Sequence, residues 1–393
     1  MAGPLSSLKV LDFSTLLPGP FGTMVLADLG AEVLRVESPT RPDMVRMLPP
    51  YDNGQSAVHG YLNRSKRSLA LDLKKPGAKE IIFDLVKEYD IVVEQFRPGV
   101  MARLGIGYEE LAKHNPALIY CAITGYGQDG PYQNRAGHDL NYLAIAGVGS
   151  YNGRKSTGPA PMAVQVADIA GGSAHAVMGI LAAVIHRQQT GEGQMIDISM
   201  TDAAFSLHGL VAPNALIEGK NPELEETQLN GGTFYDYYQT KDGRWLSVAG
   251  LEPQFFVQFC QAIGKPELAN QGLSMDPESV AKLKASIKEA IAADTFDHWQ
   301  QVFAEVDACV EPVLSITEAA QHPQLVARGM TVQVPNGAGG EQTQVASPIK
   351  FSRCAPSYKY VGVALGAHNQ EVFEELGYSG EQVAALKEQG VVS

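Results

Sequence analysis

The first third of this chain alternates strand-like and helix-like segments, and this alternation constrains its fold more than any other feature. Strand character recurs at residues 8–13, 32–37, 68–73, 91–94 and 117–123. Between them, apolar residues take helical spacing at residues 22–31, after Pro76 and at residues 108–114. Strands that alternate with helices form a parallel sheet with helices on both faces. The sequence therefore predicts an α/β fold.

The remainder of the chain predicts a second, smaller domain. A long helix at residues 168–189 and a strand at residues 194–199 extend the first body. From about residue 233 the pattern changes to a hairpin at residues 234–249, followed by helices near residues 253–263, 277–292 and 297–305. We predict a large domain of residues 1–220 and 327–393, a linker of residues 221–229 and a small α+β domain of residues 230–326.

Composition excludes several classes of function. The chain has 393 residues, 45% of them hydrophobic and 19% charged, which is typical of a soluble globular protein. Lys and Arg number 30 against 43 Asp and Glu, a net charge of −13. This balance argues against nucleic acid and anionic membrane as partners. The longest apolar stretch, residues 174–185, is predicted to be too short to span a bilayer.

Four scattered cysteines form no C-x-x-C pair, so neither a disulfide framework nor a zinc site is predicted. With no signal peptide at the start, a cytoplasmic location is the natural interpretation. The chain also lacks G-x-G-x-x-G, Walker A, H-E-x-x-H and G-x-S-x-G motifs. We therefore expect no metal and no redox cofactor.

A basic run, Asn-Arg-Ser-Lys-Arg at residues 63–67, stands out in an acidic chain. Arg97 and Arg103 follow near the end of the next predicted strand. Such a run is usually a solvated face. Guanidinium and ammonium groups at the ends of neighbouring strands also suit the phosphates of an anionic ligand.

Three segments place glycines and titratable groups close together in the chain. They are Gly-Tyr-Gly-Gln-Asp-Gly-Pro at residues 125–131, Ala-Gly-His-Asp-Leu-Asn-Tyr at residues 136–142 and Ala-Asp-Ile-Ala-Gly-Gly at residues 167–172. His138 alone is most often structural, and Asp168 alone is most often a helix N-cap. Facing each other across a pocket, the two would be an acid/base pair.

In combination these segments resemble the class III coenzyme A-transferase superfamily (CaiB/BaiF), which includes the alpha-methylacyl-CoA racemases. The resemblance covers most of residues 7–355. It implies a Rossmann-like large domain built from both chain ends and an interlocked homodimer. It also implies an acyl-CoA substrate whose nucleotide end is held by the basic residues Arg64, Lys66, Arg67, Arg97 and Arg103.

The resemblance also implies roles for three residues. The aspartate at position 168 is the nucleophile in the transferases and one of two acid/base groups in the racemases. His138 matches the racemase segment G-H-D-x-N-Y, and Glu252 matches E-P-Q-F, whose glutamate bonds to the catalytic histidine. The first N–H groups of the helix that carries Asp168 are expected to stabilise a thioester enolate.

Two departures from the family pattern matter. Val164 stands where racemases of this type tend to have an asparagine, and the glycine-rich loop of formyl-CoA transferases is reduced to residues 230–232. The preferred hypothesis is racemisation of 2-methyl-branched acyl-CoA thioesters by 1,1-proton transfer. CoA transfer between carboxylic acids through covalent Asp168 is the alternative, and non-catalytic acyl-CoA binding is the third.

Overall fold

The computed structural model describes residues 3–392 and divides the chain into two compact units. The larger unit contains residues up to Ala146, then Ala163–Leu207 and residues from Gln324 onward. The smaller unit contains Gly147–Met162 and His208–Pro323. The larger unit is thus built from both ends of the chain.

A parallel sheet of six strands organises the larger unit. In chain order the strands are β1 (Lys9–Asp12), β2 (Glu32–Glu37), β3 (Arg67–Ala70), β4 (Ile91–Glu94), β5 (Ile119–Thr124) and β6 (Gln194–Ser199). Every neighbouring pair is parallel, in the order β6-β5-β4-β1-β2-β3. The strand order reverses between β1 and β4, and in open α/β sheets ligands bind outside the carboxyl ends of strands at such a point.

Three further strands form an antiparallel sheet in the smaller unit: β7 (Asp236–Gln239), β8 (Trp245–Val248) and β9 (Val310–Pro312). A hairpin of β10 (Thr331–Pro335) and β11 (Glu341–Val345) returns to the larger unit. Two-residue strands also pair as Tyr51–Asp52 with Gln55–Ser56, and as Gly153–Arg154 with Gly158–Pro159.

The α-helices up to residue 206 belong to the larger unit. They are α1 (Pro18–Asp28), α2 (Ala57–Leu62), α3 (Ala78–Glu88), α4 (Val100–Arg103), α5 (Tyr108–His114), α6 (Asp139–Ile145), α7 (His175–Thr190) and α8 (Met200–Ser206). The smaller unit contains α9 (Ala212–Glu218), α10 (Pro253–Ala262), α11 (Pro277–Ile291), α12 (Phe296–Ala304) and α13 (Ile316–Gln321). The chain then forms α14 (Pro323–Ala327), α15 (Asn369–Glu375) and α16 (Gly380–Glu388).

Two helix predictions needed correction. The first helix begins at Pro18 rather than at residue 22, because proline is well suited to the first helical position. Near the carboxyl end of the chain, the sequence of residues 370–389 also predicts one helix, and the structure has two, α15 and α16. Gly377 takes a φ of +77° between them, and Ser379 caps the second by accepting the N–H of Gln382.

The helix that carries Asp168 is longer than the apolar stretch predicted from sequence. A π-helical segment, Ala167–Ala174, continues directly into α7. The resulting 24-residue helix is long and apolar enough to cross a membrane by length and composition alone. Within the larger unit it packs against α1, β5 and β6, while Met178 and Ile185 on the same helix are exposed.

The units divide at different residues from those predicted. Residues 147–162 and 208–229 group with the smaller unit instead of the large domain and linker. Side-chain bonds explain the grouping. Arg154 pairs with Asp236 at the start of β7 and with Glu225 at 3.2 Å, while the Asn230 amide donates to the Tyr151 carbonyl at 3.1 Å.

Candidate active site

A cavity of about 510 Å³ opens at the carboxyl ends of β1, β4 and β5. The chain leaving β1 contributes residues 16–18, the chain leaving β4 contributes residues 95–98 and the end of β5 contributes residues 123–126. His138 and Asp168 both line this cavity. The structure thus brings together the two titratable residues predicted to act as a pair, at the crevice that the strand order predicts.

His138 is held by the start of α6, where it is the N-cap residue. Its backbone is extended, and the Asn141 side chain accepts the His138 N–H at 3.1 Å. The Tyr142 hydroxyl donates to the carbonyl of Gly137, the residue before the histidine. The backbone around His138 is therefore fixed on both sides.

Asp168 lies in the first turn of the π-helical segment Ala167–Ala174. The wider π turn displaces carbonyls from their usual backbone N–H donors. Two side chains take the place of those donors. The Ser173 hydroxyl donates to the Asp168 carbonyl at 3.2 Å, and the His175 Nδ1 lies 2.7 Å from the Ala170 carbonyl. Single π turns inside α-helices are found frequently at functional sites.

Gly172 allows this turn to pack closely. A Cβ at Gly172 would lie 3.1 Å from side-chain atoms of both Met200 and Pro18. The Ser173 hydroxyl also donates to the Pro18 carbonyl at 2.6 Å. The turn carrying Asp168 is thereby fixed against both α1 and α8.

The Asp168 carboxyl has an unusual environment. Burial, followed by the negative charge of Asp139, raises the pKa of Asp168 to about 6, while His138 opposes the rise. None of the hydrogen bonds among residues 3–392 ends on this carboxylate. A carboxyl that titrates near neutral pH and lines a cavity is suited to accept and return a proton.

The predicted use of the first helical N–H groups requires correction. The Asp139 carboxylate already accepts the N–H groups of Ala167 at 2.7 Å and of Asp168 at 3.1 Å. The next N–H, that of Ile169, donates to the Gln165 carbonyl at 2.9 Å. These three donors are therefore occupied and do not provide the enolate contact expected from the sequence.

The departure at position 164 leaves Asp168 without an amide neighbour there. Val164 is 61% exposed and supplies no hydrogen-bonding side chain. Gln165 beside it donates its amide to the Ala163 carbonyl at 3.2 Å. Among the described residues, the charges of Asp139 and His138 are the ones that act on the pKa of Asp168.

Arg64 and Lys66 do not reach the cavity, contrary to the prediction that they hold CoA phosphates. Both are 1% exposed. Arg64 forms a bidentate pair with Asp28, at 2.8 and 2.6 Å, and donates to the Val345 carbonyl at 2.7 Å. Lys66 lies 3.2 Å from Asp12, and burial lowers its pKa to about 8. Both positive charges are therefore paired with buried carboxylates of the protein itself.

The other predicted basic residues have different surroundings. Arg67 is half-buried and pairs with Glu32 at 3.0 Å and Glu375 at 2.9 Å. Arg97 is exposed and lines the same cavity as His138 and Asp168. Arg103 is exposed beside a second, open cavity of about 590 Å³, whose basic lining also includes Lys74, Lys75 and Lys79. Only Arg97 and Arg103 remain as accessible members of the predicted set.

Glu252 belongs to the smaller unit. It is exposed at the N-cap of α10, as the following Pro253 predicts, and its side chain makes no capping bond there. Its predicted contact with His138 stays a prediction. In the same unit, the Asn230 side chain accepts the N–H groups of Glu226 and Thr227 and donates to the Glu223 carbonyl.

Sequence reasoning missed several residues of the cavity. Arg135 lines it and stacks on Tyr132, with its guanidinium carbon 4.4 Å from the ring centre. Tyr126 and Tyr142 form an edge-to-face pair with ring centres 5.3 Å apart. Gly137 sits against both rings, which explains the glycine, since a Cβ there would lie 2.6 Å from Tyr142. The signal that could have identified these residues was their position in or beside the segments 125–131 and 136–142, close to His138 in the chain.

Known proteins are similar to this chain over most of its length. The profile of CoA-transferase family III matches residues 5–369. The chain is 36% identical to the human alpha-methylacyl-CoA racemase over 99% of this chain and 97% of that protein. It is 35% identical to the acetyl-CoA:oxalate CoA-transferase of Acetobacter aceti over 89% of this chain and 90% of that protein.

A crystal structure of a CaiB/BaiF family protein from Brucella suis superposes with a TM-score of 0.84 at 30% identity. The match covers 96% of this chain and 100% of that one. Racemases and transferases thus occur at similar identity, and both act on CoA thioesters. The chain belongs to CoA-transferase family III.

Proposed function

We propose that this protein racemises 2-methyl-branched acyl-CoA thioesters by a 1,1-proton transfer between His138 and Asp168. One observation carries the proposal: the two groups line a single cavity, and the charge of His138 acts on Asp168. The His138 imidazole and the Asp168 carboxyl, whose pKa is raised to about 6, can each remove or return a proton. A carboxylate that served only as a nucleophile would need no such partner.

The proton and the electrons move in two steps. In one direction the Asp168 carboxylate removes the α-proton, and the electrons of the C–H bond pass to the thioester oxygen to form a planar enolate. The His138 imidazolium then donates a proton to the opposite face of the same carbon. The reverse direction exchanges the two roles. The pair therefore carries one proton before and after each turnover and two protons while the enolate exists.

Coenzyme A supplies the anionic end of the proposed substrate. Arg103 and the three lysines beside it, Lys74, Lys75 and Lys79, suit its phosphates. Arg97 and Arg135 at the cavity with His138 are further cationic contacts for the part of the coenzyme nearer the thioester. Arg64 and Lys66 are not included, because both are buried against carboxylates.

CoA transfer through covalent Asp168 is the second candidate, favoured by transferase relatives at nearly the same identity. Two features count against it. The histidine has no need to move a proton in acyl transfer. The reduced glycine segment, residues 230–232, is tied by the Asn230 side chain to four backbone groups. Little therefore remains here of the glycine-rich loop that covers the intermediate in formyl-CoA transferases.

The test is to incubate the purified protein with one epimer of a 2-methylacyl-CoA in D₂O. We expect one deuterium at the α-carbon and conversion to the other epimer, followed by mass spectrometry and chiral separation. Asp168→Asn is the matched control, since it keeps the size of the side chain and removes its ability to accept the proton.

A parallel incubation supplies an acyl-CoA, a free carboxylic acid and hydroxylamine. Transfer of CoA between the two acids, an Asp168 hydroxamate and no α-deuterium would reject the racemase in favour of the transferase. Tight acyl-CoA binding with neither reaction would reject both and leave a binding protein.

A further inference from the structure

Asp139 links the two sides of the proposed acid/base pair. It follows His138 directly in the chain, at the first position of α6. Its Oδ1 atom accepts the N–H groups of Ala167 at 2.7 Å and of Asp168 at 3.1 Å. One carboxylate therefore joins the segment that presents the histidine to the turn that presents the aspartate.

These bonds are not easily replaced by water. The first N–H groups of a helix lack partners within the helix, and a carboxylate is their strongest common acceptor. Ala167 is completely buried, so its N–H would lose the one acceptor it has among the described residues if the Asp139 carboxylate were removed. An unsatisfied buried donor costs about 1–3 kcal/mol, enough to change how the turn packs.

The other end of the link is equally fixed. Asn141 accepts the His138 N–H at 3.1 Å, and the carbonyl of His138 accepts the Asn141 N–H at 2.8 Å. Asp139 lies between the two, so its backbone cannot shift without moving the histidine. A displacement at Asp139 is thereby transmitted to His138 through the chain and to Asp168 through the carboxylate.

Asp139 also acts on Asp168 electrostatically. Its charge adds to burial in raising the pKa of Asp168, and His138 opposes it. The elements packed around this turn also carry these titratable side chains: Tyr142 of α6, Asp202 of α8, Asp28 of α1, Asp197 of β6, and His175, His186 and Arg187 of α7. Asp168 in turn raises the pKa of Tyr142, after burial, to about 12, so that hydroxyl stays neutral.

We propose that Asp139 is a positioning residue for the proton transfer, whose carboxylate fixes the separation of the Asp168 carboxyl and the His138 ring across the cavity. This inference rests on the proposed function. Two bases that act on opposite faces of one carbon must keep a fixed separation. A misplacement of about 1 Å costs on the order of 10²-fold in rate.

The test compares Asp139→Ala with Asp139→Asn. The alanine variant removes the acceptor, and we expect kcat for racemisation to fall about 10²-fold with little change in KM. The asparagine variant keeps an oxygen that can accept both N–H groups but removes the charge. We expect it to restore kcat to within about tenfold of the wild type and to move the acid limb of the pH profile to lower pH.

Asp129→Asn changes an exposed carboxylate that does not line the cavity, so it serves as the control and should leave both readouts unchanged. Wild-type kcat in folded Asp139→Ala would overturn the inference. An unchanged acid limb in Asp139→Asn would do the same, and this second variant decides the matter if the alanine protein fails to fold.

The proposed function can fail separately. If the wild type neither racemises nor exchanges the α-proton, the racemase proposal is rejected. Titration of Asp168 by ¹³C-carboxyl NMR in wild type and Asp139→Asn then tests the link directly. An equal pKa in the two proteins would reject the contact on which the inference depends.

Discussion

Arg64 and Arg103 were both predicted to bind CoA phosphates, and the fold gives them opposite surroundings. Arg64 is 1% exposed, paired with Asp28 and bonded to the Val345 carbonyl of β11. It ties the carboxyl-terminal hairpin to the first part of the chain. Arg103 is exposed among lysines beside an open cavity. A basic residue is free to bind a ligand when the protein supplies no carboxylate of its own.

The same contrast separates two aspartates of the larger unit. Asp28 accepts two hydrogen bonds from Arg64, so its charge serves the fold. Asp168 lines the cavity and has its backbone, rather than its carboxylate, held by neighbours. Charges with internal partners should therefore govern stability, and charges that face the cavity should govern turnover.

The largest effect is expected from removing the groups that face the cavity. His138→Ala and Asp168→Ala should each lower racemisation about 10²–10⁴-fold, the usual contribution of a general acid or base. Each variant should still exchange the α-proton of the one epimer that its remaining base attacks. Deuterium incorporation from each pure epimer measures this asymmetry.

Equal loss of exchange from both epimers in His138→Ala would contradict a two-base mechanism.

Glu252→Gln offers a graded comparison. It should reduce the rate less than His138→Ala if Glu252 only orients the imidazole and raises its basicity. The two variants can be assayed side by side with the same epimers.

The next effect compares the two arginines directly. Arg64→Ala should lower the free energy of unfolding by about 3–5 kcal/mol, because it leaves Asp28 charged, buried and unpaired. Arg103→Ala should leave that free energy within about 0.5 kcal/mol and weaken CoA-ester binding. Urea unfolding and calorimetry with an acyl-CoA measure the two quantities.

Arg103→Lys is the matched control, since it keeps the positive charge that the phosphates need. Weakened CoA affinity in folded Arg64→Ala, with unchanged affinity in Arg103→Ala, would reverse the comparison. That result would indicate that Arg64, although buried, belongs to the coenzyme site.

The smallest effect is a pH dependence. The pair is active with one shared proton, and a second proton binds as the pH falls below the pKa of Asp168, about 6. The value of kcat/KM should therefore rise with pH up to about 6, level off, and fall again at higher pH once the pair loses its one proton. The acid limb should be the same for both epimers, because the equilibrium constant between them does not depend on pH. Activity that stays constant from pH 5 to 7 would contradict the role of Asp168.

The sequence by itself determined the class of fold and singled out His138 and Asp168, which the structure places in one cavity. The alternation of strands and helices predicted the parallel sheet, since periods of two and 3.6 residues are local properties of the chain. The segments around His138 and Asp168 could be recognised in the sequence because they contain glycines, which are needed where chains approach closely. Gly137 against Tyr142 is one such place.

Tertiary structure alone decided which charges are free. Residues 63–67 read as a basic cluster, but the carboxylates of Asp28 and Asp12 that neutralise Arg64 and Lys66 come from other strands and helices. Asp139 likewise reaches Ala167 and Asp168 across 28 and 29 residues. Local sequence records the type of a side chain, whereas its partner depends on how distant segments pack. That partner determines whether a charge stabilises the fold or remains available for a ligand.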